Sequence, residues 1–167
     1  MAKIDVVGVV GCGTMGNGIA HIVAGSGLKV LLYDLEQALL DQAVITISKN
    51  MDRQVARKQM TREEKTIALS QITKTINKDD LSEMDFVIEA ATENIDVKLN
   101  IFSELDAVTK PNVILASNTS SISITKIASV TERPENVIGM HFMNPVPIMQ
   151  LVEVVRGLAT SDETFKT

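Results

Sequence analysis

The chain has 167 residues, of which 45% are hydrophobic and 22% charged, and this is enough for one globular domain with a sizeable core. Its net charge of −5 argues against a general nucleic-acid or anionic-membrane surface. No apolar run approaches the roughly 20 residues of a membrane span, and the lone Cys12 cannot form an internal disulfide, which is typical of the reducing cytoplasm.

The first predicted element is a strand over Ile4 to Val10, which leads directly into the glycine-rich segment Gly11 to Gly16. An apolar run with so little alternation is typical of a buried parallel strand. Because it begins so close to Met1, we expect no signal peptide. The residues from Asn17 to Ala24 continue as a helix.

Each glycine of the segment has a predicted task. Gly11 makes the tight turn, Gly13 lets the backbone approach a pyrophosphate, and Gly16 allows close packing of helix on strand. The free N–H groups at the helix start would receive the phosphates. We expect Thr14 and Met15 to belong to the same cofactor-binding loop.

A second strand, Lys29 to Tyr33, ends at Asp34, roughly 20 residues beyond the glycines, as a ribose contact requires. A carboxylate there accepts both ribose hydroxyls and repels a 2′-phosphate. Since 35–37 holds no arginine to clamp such a phosphate, NAD is predicted rather than NADP. A redox switch at Cys12 is a further hypothesis.

Two helices are predicted next, over Glu36 to about Lys58 and from the capping box Thr61 to Glu64 onward. This helical hairpin is longer than a crossover needs. Lys49, Arg53 and Arg57 recur every four positions and would line one helical face. These basic residues could form a solvated face of the helix, or they could bind the phosphorylated part of a substrate.

Short strands are predicted at 72–76, 85–91 and 112–117, with an amphipathic helix at 95–108. Two further apolar runs, Val137 to Phe142 and Gln150 to Val155, predict an antiparallel strand pair near the C-terminus. The fold predicted is therefore α/β: a Rossmann-type doubly wound, mostly parallel sheet with a helical hairpin inserted after strand two.

If the last two runs pair as a hairpin centred near Pro147, His141 and Glu153 lie opposite one another, within the roughly 4.5–5.5 Å Cβ separation of a cross-strand pair. A carboxylate beside an imidazole fixes its tautomer and stabilises the imidazolium that forms when it takes a proton. The pair could therefore be a catalytic dyad. The alternative is a strand histidine that merely finds an acceptor.

Polar residues follow three consecutive predicted strands, at Glu89 to Asn94, at Ser117 to Ser121, and at His141 with Asn144. In an open parallel sheet, ligands bind beyond the carboxyl ends of the strands. We therefore expect hydroxyl, amide, carboxylate and imidazole groups to meet at the edge that holds the glycine loop.

The chain contains four motifs: Gly11-x-Gly-x-x-Gly16, Glu89-Ala-Ala-Thr-Glu-Asn94, Ser117-Asn-Thr-Ser-Ser121, and His141-Phe-Met-Asn-Pro-Val-Pro147 with Leu151-Val-Glu-Val-Val155. Together they resemble the motifs of the L-3-hydroxyacyl-CoA dehydrogenases. The resemblance covers the whole chain and is strongest to the bacterial 3-hydroxybutyryl-CoA dehydrogenases. It implies that residues 1–167 form an NAD-binding domain and that the helical C-terminal domain of the family is absent from this chain.

The resemblance also implies residue roles. His141 would be the general base and Glu153 its orienting partner. Ser120 would hydrogen-bond the substrate's 3-oxygen, and Asn118 and Asn144 would shape the site. Glu93 and Lys98 would lie on the nicotinamide side of the cofactor, and Ala91 and Asn118 complete the expected cofactor contacts.

The implied reaction is hydride transfer between NAD(H) and the 3-position of a (3S)-3-hydroxyacyl-CoA or 3-ketoacyl-CoA, with 3-hydroxybutyryl-CoA and acetoacetyl-CoA as the expected pair. Lys49, Arg53 and Arg57 would meet the coenzyme A phosphates. Family members are homo-oligomers of fatty-acid and butyrate metabolism. We expect a cytoplasmic, truncated chain without a metal site, able to self-associate through exposed apolar surface.

Other functions are compatible with parts of the sequence. A non-catalytic dinucleotide-binding module or a redox sensor would need the glycine loop but not the Ser120, His141 and Glu153 set. Another β-hydroxyacid or sugar dehydrogenase on this fold, or a methyltransferase, would lack the His141-x-x-Asn-Pro block or the full glycine fingerprint.

Overall fold

Seven strands form one sheet in the computed structural model of the chain, which describes residues 3–167. The strands are β1 (Val6–Val10), β2 (Lys29–Tyr33), β3 (Ile72–Thr75), β4 (Phe86–Glu89), β5 (Ile114–Ser117), β6 (Val137–Phe142) and β7 (Val152–Arg156). Their order is β3-β2-β1-β4-β5-β6-β7. All neighbouring pairs are parallel except β6 with β7. The predicted fold is confirmed, and the strand order reverses between β1 and β4, where such sheets bind ligands.

Helices connect the strands on both faces of the sheet. They are α1 (Thr14–Gly25), α2 (Gln37–Ala56), α3 (Arg62–Ser70), α4 (Ile95–Val108), α5 (Ile124–Ala128) and α6 (Asp162–Lys166). The predicted capping box is confirmed, because Thr61 Oγ1 accepts from Glu64 N while the Glu64 carboxylate accepts from Thr61 N. Within residues 3–167, no helix is long and apolar enough to cross a membrane.

The helices bury apolar stripes on the sheet. In α2 the buried residues Leu40, Ala43, Ile47 and Met51 recur at three- and four-residue intervals, which is the spacing of one helical face. They form one core layer with α1 and the sheet, while α4 and α5 form a second layer on the opposite face. Burial of each large apolar side chain contributes roughly 1.5–3 kcal/mol.

The last strand begins later than predicted. Gln150 and Leu151 do not join β7, because the segment after Asn144 forms a turn in which Ile148 N and Met149 N both donate to the Pro145 carbonyl. This turn therefore takes residues that the apolar pattern assigned to the strand.

The turn is anchored on α1. Val146 is 3% exposed, and a Cβ built on Gly18 of α1 would lie 2.8 Å from the Cβ of Val146. Only a glycine allows this approach. The contact holds the β6–β7 loop beside α1 and the end of α2.

A buried histidine joins α1 to α2 and gives the fold a dependence on pH. His21 is 2% exposed, its Nε2 lies 3.0 Å from Gln54 Oε1, and its Nδ1 has no partner among the described residues. Burial lowers the pKa of His21 below its usual 6.5. The ring is therefore neutral in the folded chain at pH 7.

We expect the free energy of unfolding to fall as the pH is lowered below 6.5, because the unfolded chain binds the His21 proton at a higher pH than the folded chain does. The slope from this one group is at most about 1.4 kcal/mol per pH unit. Urea titrations of the wild type and His21→Leu between neutral and mildly acidic pH would measure it. A variant slope equal to that of the wild type would contradict this origin.

Candidate active site

The glycine loop leaves backbone donors open to a ligand. Gly11 has a φ of +92°, which favours glycine, and a Cβ on Gly16 would lie 1.8 Å from the Gly11 carbonyl oxygen. A Cβ on Gly13 would meet nothing within 4 Å. Gly13 also caps α1 without a side chain, so the first N–H groups of the helix remain free for an anion.

A cleft of about 740 Å³ opens beside this loop. Asp34 lies in its wall, where Oδ2 accepts from Cys12 N at 2.8 Å and Oδ1 accepts from Leu35 N at 2.7 Å. Gly11 packs tightly against Ala91, which also lines the cleft, because a Cβ built on Gly11 would lie 2.6 Å from the Cα of Ala91. Open backbone donors beside a fixed carboxylate fit an adenine dinucleotide.

Further residues that line this cleft were not predicted. They are Asn17, Tyr33, Lys78, Thr92, Val97, Asn100, Ile101 and Glu104, besides apolar and polar residues of α2. Lys78 Nζ and Glu104 Oε2 form an ion pair at 3.0 Å. The position of Lys78 just beyond the carboxyl end of β3 is the signal that could have indicated it.

Cys12 is a poor candidate for a redox switch. The side chain is 6% exposed, and burial together with the neighbouring Asp34 carboxylate raises the pKa of the thiol to about 12. Thiolate is the reactive form. The structure therefore argues against the redox hypothesis for this residue.

His141 and Glu153 form the predicted cross-strand pair. They lie opposite each other in the β6–β7 ladder, and His141 Nδ1 is 2.8 Å from Glu153 Oε2. Since an ionised carboxylate only accepts, the proton of a neutral ring lies on Nδ1 and Nε2 is left as the base. The side chains are 22% and 52% exposed, so both are accessible.

The loop after β5 is tied to the loop after β4 through Glu93. Its carboxylate accepts from Thr119 Oγ1 at 2.8 Å and from Ser120 N at 3.3 Å. The Ser120 residue itself is exposed. Asn118 is 8% exposed, and its Oδ1 accepts from Phe142 N at 2.9 Å. The ends of β4, β5 and β6 are therefore held together at one edge.

Several predicted site residues do not line the cofactor cleft. Lys98 does not face the cleft: it is 1% exposed, and its ammonium contacts the Glu89 carboxylate in the core. Met15 packs against the core cluster of α1 and α2. Asn144 is exposed at the start of the β6–β7 loop, before the cis peptide to Pro145.

The three basic residues of the helical hairpin are also separated. Arg53 and Arg57 line a cleft of about 830 Å³ with Pro147 and Ile148 of the β6–β7 loop. Lys49 is exposed on α2 and is not part of this cleft wall. The four-residue spacing alone therefore did not decide which cations share a site.

The chain matches the family described as "3-hydroxyacyl-CoA dehydrogenase, NAD binding domain" over residues 6–167. It belongs to this family. The 3-hydroxyacyl-CoA dehydrogenase resemblance is thereby confirmed, and NAD is the cofactor of the matched domain.

Relatives of the 3-hydroxyacyl-CoA dehydrogenase domain support the same assignment. A 3-hydroxybutyryl-CoA dehydrogenase of Bradyrhizobium diazoefficiens is 54% identical over 165 residues, which is 99% of this chain and 56% of that protein. One of Clostridioides difficile is 45% identical over 95% of this chain and 57% of its own length. The crystal structure of (S)-3-hydroxybutyryl-CoA dehydrogenase from Ralstonia eutropha superposes with a TM-score of 0.95 at 51% identity, covering 97% of this chain and 57% of that one. The chain thus spans a little over half the length of these relatives.

Proposed function

We propose that this chain carries the cofactor site and the proton-transferring histidine of an NAD-dependent (3S)-3-hydroxyacyl-CoA dehydrogenase, with 3-hydroxybutyryl-CoA and acetoacetyl-CoA as substrates. The observation that carries the proposal is the 2.8 Å contact between His141 Nδ1 and Glu153 Oε2 at the carboxyl edge of the sheet. It leaves Nε2 as a free base beside strands whose ends also hold the glycine loop.

His141 acts on the 3-hydroxyl of the substrate. In oxidation, Nε2 takes the hydroxyl proton, and the charge that forms on the ring is stabilised by Glu153. Bound NAD supplies the acceptor for the hydride that leaves carbon 3. In the reverse direction the imidazolium returns its proton to the 3-oxygen of a 3-ketoacyl thioester. Ser120, exposed at the same edge, donates to that oxygen, and Asn144 helps to shape the substrate side.

NAD would be held along the cleft beside the glycine loop. The loop residues Gly11, Gly13 and Thr14 line this cleft, while Gly16 and Met15 fix the packing behind it. The remaining contacts are proposed for Asp34 at the adenosine ribose and, toward the nicotinamide, for Ala91, Glu93 and Asn118. Lys98 would contribute indirectly, through the buried carboxylate that it contacts.

The discriminating experiment compares cofactors and substrates in one assay. We expect NADH to bind more tightly than NADPH, because Asp34 repels a 2′-phosphate, and acetoacetyl-CoA to be reduced in preference to free acetoacetate. Binding can be followed by NADH fluorescence, since the chain has no tryptophan. Equal affinity for NADPH would contradict the cofactor proposal, and NADH binding without turnover would favour the non-catalytic module.

Coenzyme A is proposed to bind in the cleft between α2 and the β6–β7 loop. This cleft combines two cations, Arg53 and Arg57, with the apolar Pro147 and Ile148, and guanidinium groups suit phosphate. We expect Arg53→Gln with Arg57→Gln to raise the KM for acetoacetyl-CoA about three- to tenfold, as for exposed charge pairs.

The matched control for this test is Lys49→Gln, which removes a cation of the same helix outside the cleft. Its KM should stay that of the wild type. If all three substitutions raise the KM equally, a general electrostatic attraction is at work and no site on this cleft is needed.

Self-association is proposed through the β6–β7 hairpin region. Its exposed apolar side chains are Ile148, Met149, Leu151, Val154, Val155 and Leu158. Exposed apolar side chains concentrated in one segment are typical of an interface. A cytoplasmic location is proposed because the one cysteine is a free thiol.

A further inference from the structure

We propose that Glu89 is a positioning residue that sets the nicotinamide side of the cofactor site, a role that rests on the proposed function. Glu89 is the last residue of β4, and its side chain is fully buried. It does not reach the cleft. It acts by fixing the loops after β4 and β5, whose side chains would meet the cofactor and substrate.

The first link runs from Glu89 to its own loop. Oε1 accepts from Ala91 N at 2.9 Å and from Thr92 N at 3.4 Å. These two residues line the cofactor cleft. The path of the backbone along the cleft wall is therefore set by one oxygen of a buried carboxylate.

The second link runs from Glu89 to the neighbouring strand. Oε2 accepts from Ser117 Oγ at 2.9 Å and contacts Lys98 Nζ. Ser117 Oγ in turn accepts from Thr119 N at 3.3 Å. Ser117 and Glu89 are register partners in β5 and β4, so the carboxylate ties the two strand ends together.

The two loops then meet again through Glu93. It belongs to the loop that Glu89 fixes and accepts from Thr119 and Ser120 of the other loop. A closed set of hydrogen bonds therefore connects the buried Glu89 with the exposed Glu93 and Ser120. Displacement of Glu89 is transmitted to both.

The network requires a carboxylate and not an amide. All its partners on Glu89 are donors: two backbone N–H groups, a hydroxyl and an ammonium. Glutamine has nearly the same shape but turns one acceptor into a donor. In Glu89→Gln the side-chain amide N–H groups would therefore face one of these donors, and Lys98 would be buried without its counter-charge.

The test compares the affinities of Glu89→Gln for NADH and for AMP with those of the wild type, well below the melting temperature of each. In the cofactor orientation proposed above, AMP would reach Asp34 and the start of α1 but not Glu93 or Ser120. We expect the NADH dissociation constant to rise about tenfold and that of AMP to change less than about twofold. A merely structural role would weaken both ligands alike.

Arg133→Lys is the matched control, because it alters a buried ion pair at the far end of α4. It should lower the melting temperature and leave NADH affinity unchanged. If Glu89→Gln does not fold, Ser117→Ala replaces it, since it cuts the link to β5 without stranding a charge. It should weaken NADH about threefold and spare AMP.

The outcomes separate the two proposals. Suppose that the wild type binds NADH. If Glu89→Gln then keeps the NADH affinity of the wild type, or loses NADH and AMP affinity equally, the positioning role of Glu89 is wrong. The dehydrogenase proposal stands in both cases. If the wild type itself fails to bind NADH, the proposed function fails first.

Discussion

Substitution of His141 by alanine is expected to lower the rate of hydride transfer from NADH to acetoacetyl-CoA at least about a hundredfold, the usual contribution of a general acid or base. The substitution removes Nε2, the atom proposed to carry the proton, and leaves Glu153 exposed to solvent. NADH affinity should stay within about twofold, because His141 lies on β6 and the glycine loop and Asp34 are untouched. Steady-state turnover and NADH fluorescence titration measure the two quantities separately.

Glu153→Gln provides the companion variant. Glutamine can still accept from Nδ1, so the ring orientation is retained, but the charge that stabilises the imidazolium is lost. Turnover should therefore fall by less than in His141→Ala, with unchanged NADH affinity. The role of His141 is contradicted if His141→Ala loses NADH affinity in proportion to turnover, because the residue would then serve cofactor binding or folding.

The residues that the sequence located well are those fixed by local patterns. The register of His141 against Glu153 follows from two apolar runs that are symmetrical about Pro147. A one-residue slip of either strand would put the two side chains on opposite faces of the sheet. Asp34 follows from the spacing between the glycine loop and the end of β2. Each of these depends on neighbours in sequence or on one hairpin.

The residues whose surroundings could not be read from the sequence depend on contacts between distant segments. The family resemblance implies that Lys98 lies on the nicotinamide side of the cofactor, but in the structure its ammonium contacts the buried Glu89 carboxylate on β4. No pattern within α4 contains that information. The hairpin arginines show the same limit, because Arg53 and Arg57 share a cleft only where Val146 anchors the β6–β7 loop on α1.

A large loss of stability is expected for Arg133→Ala, about 3–5 kcal/mol, as for other buried ion pairs from which one partner is removed. Arg133 Nε donates to Asp106 Oδ1 at 2.6 Å, and both side chains are 9% exposed. Its two Nη atoms donate to the carbonyls of Asp106, Thr109 and Lys110 at the end of α4. The cation thus satisfies carbonyls that a helix end leaves unpaired and opposes the negative end of the helix dipole.

Removal of the guanidinium would strand a buried carboxylate and at least two carbonyls together, so the loss should exceed that of a surface salt bridge several-fold. Lysine cannot reproduce the fork of donors, and Arg133→Lys should recover only part of the stability. Urea denaturation followed by circular dichroism measures the stability of both variants.

Lys110→Ala is the matched control, because it removes the exposed ion pair with Glu83 at 3.0 Å. It should lower the free energy of unfolding by less than about 1 kcal/mol. Equal losses for Arg133→Ala and Lys110→Ala would mean that the end of α4 is satisfied by water, and that burial of Arg133 contributes little to the fold.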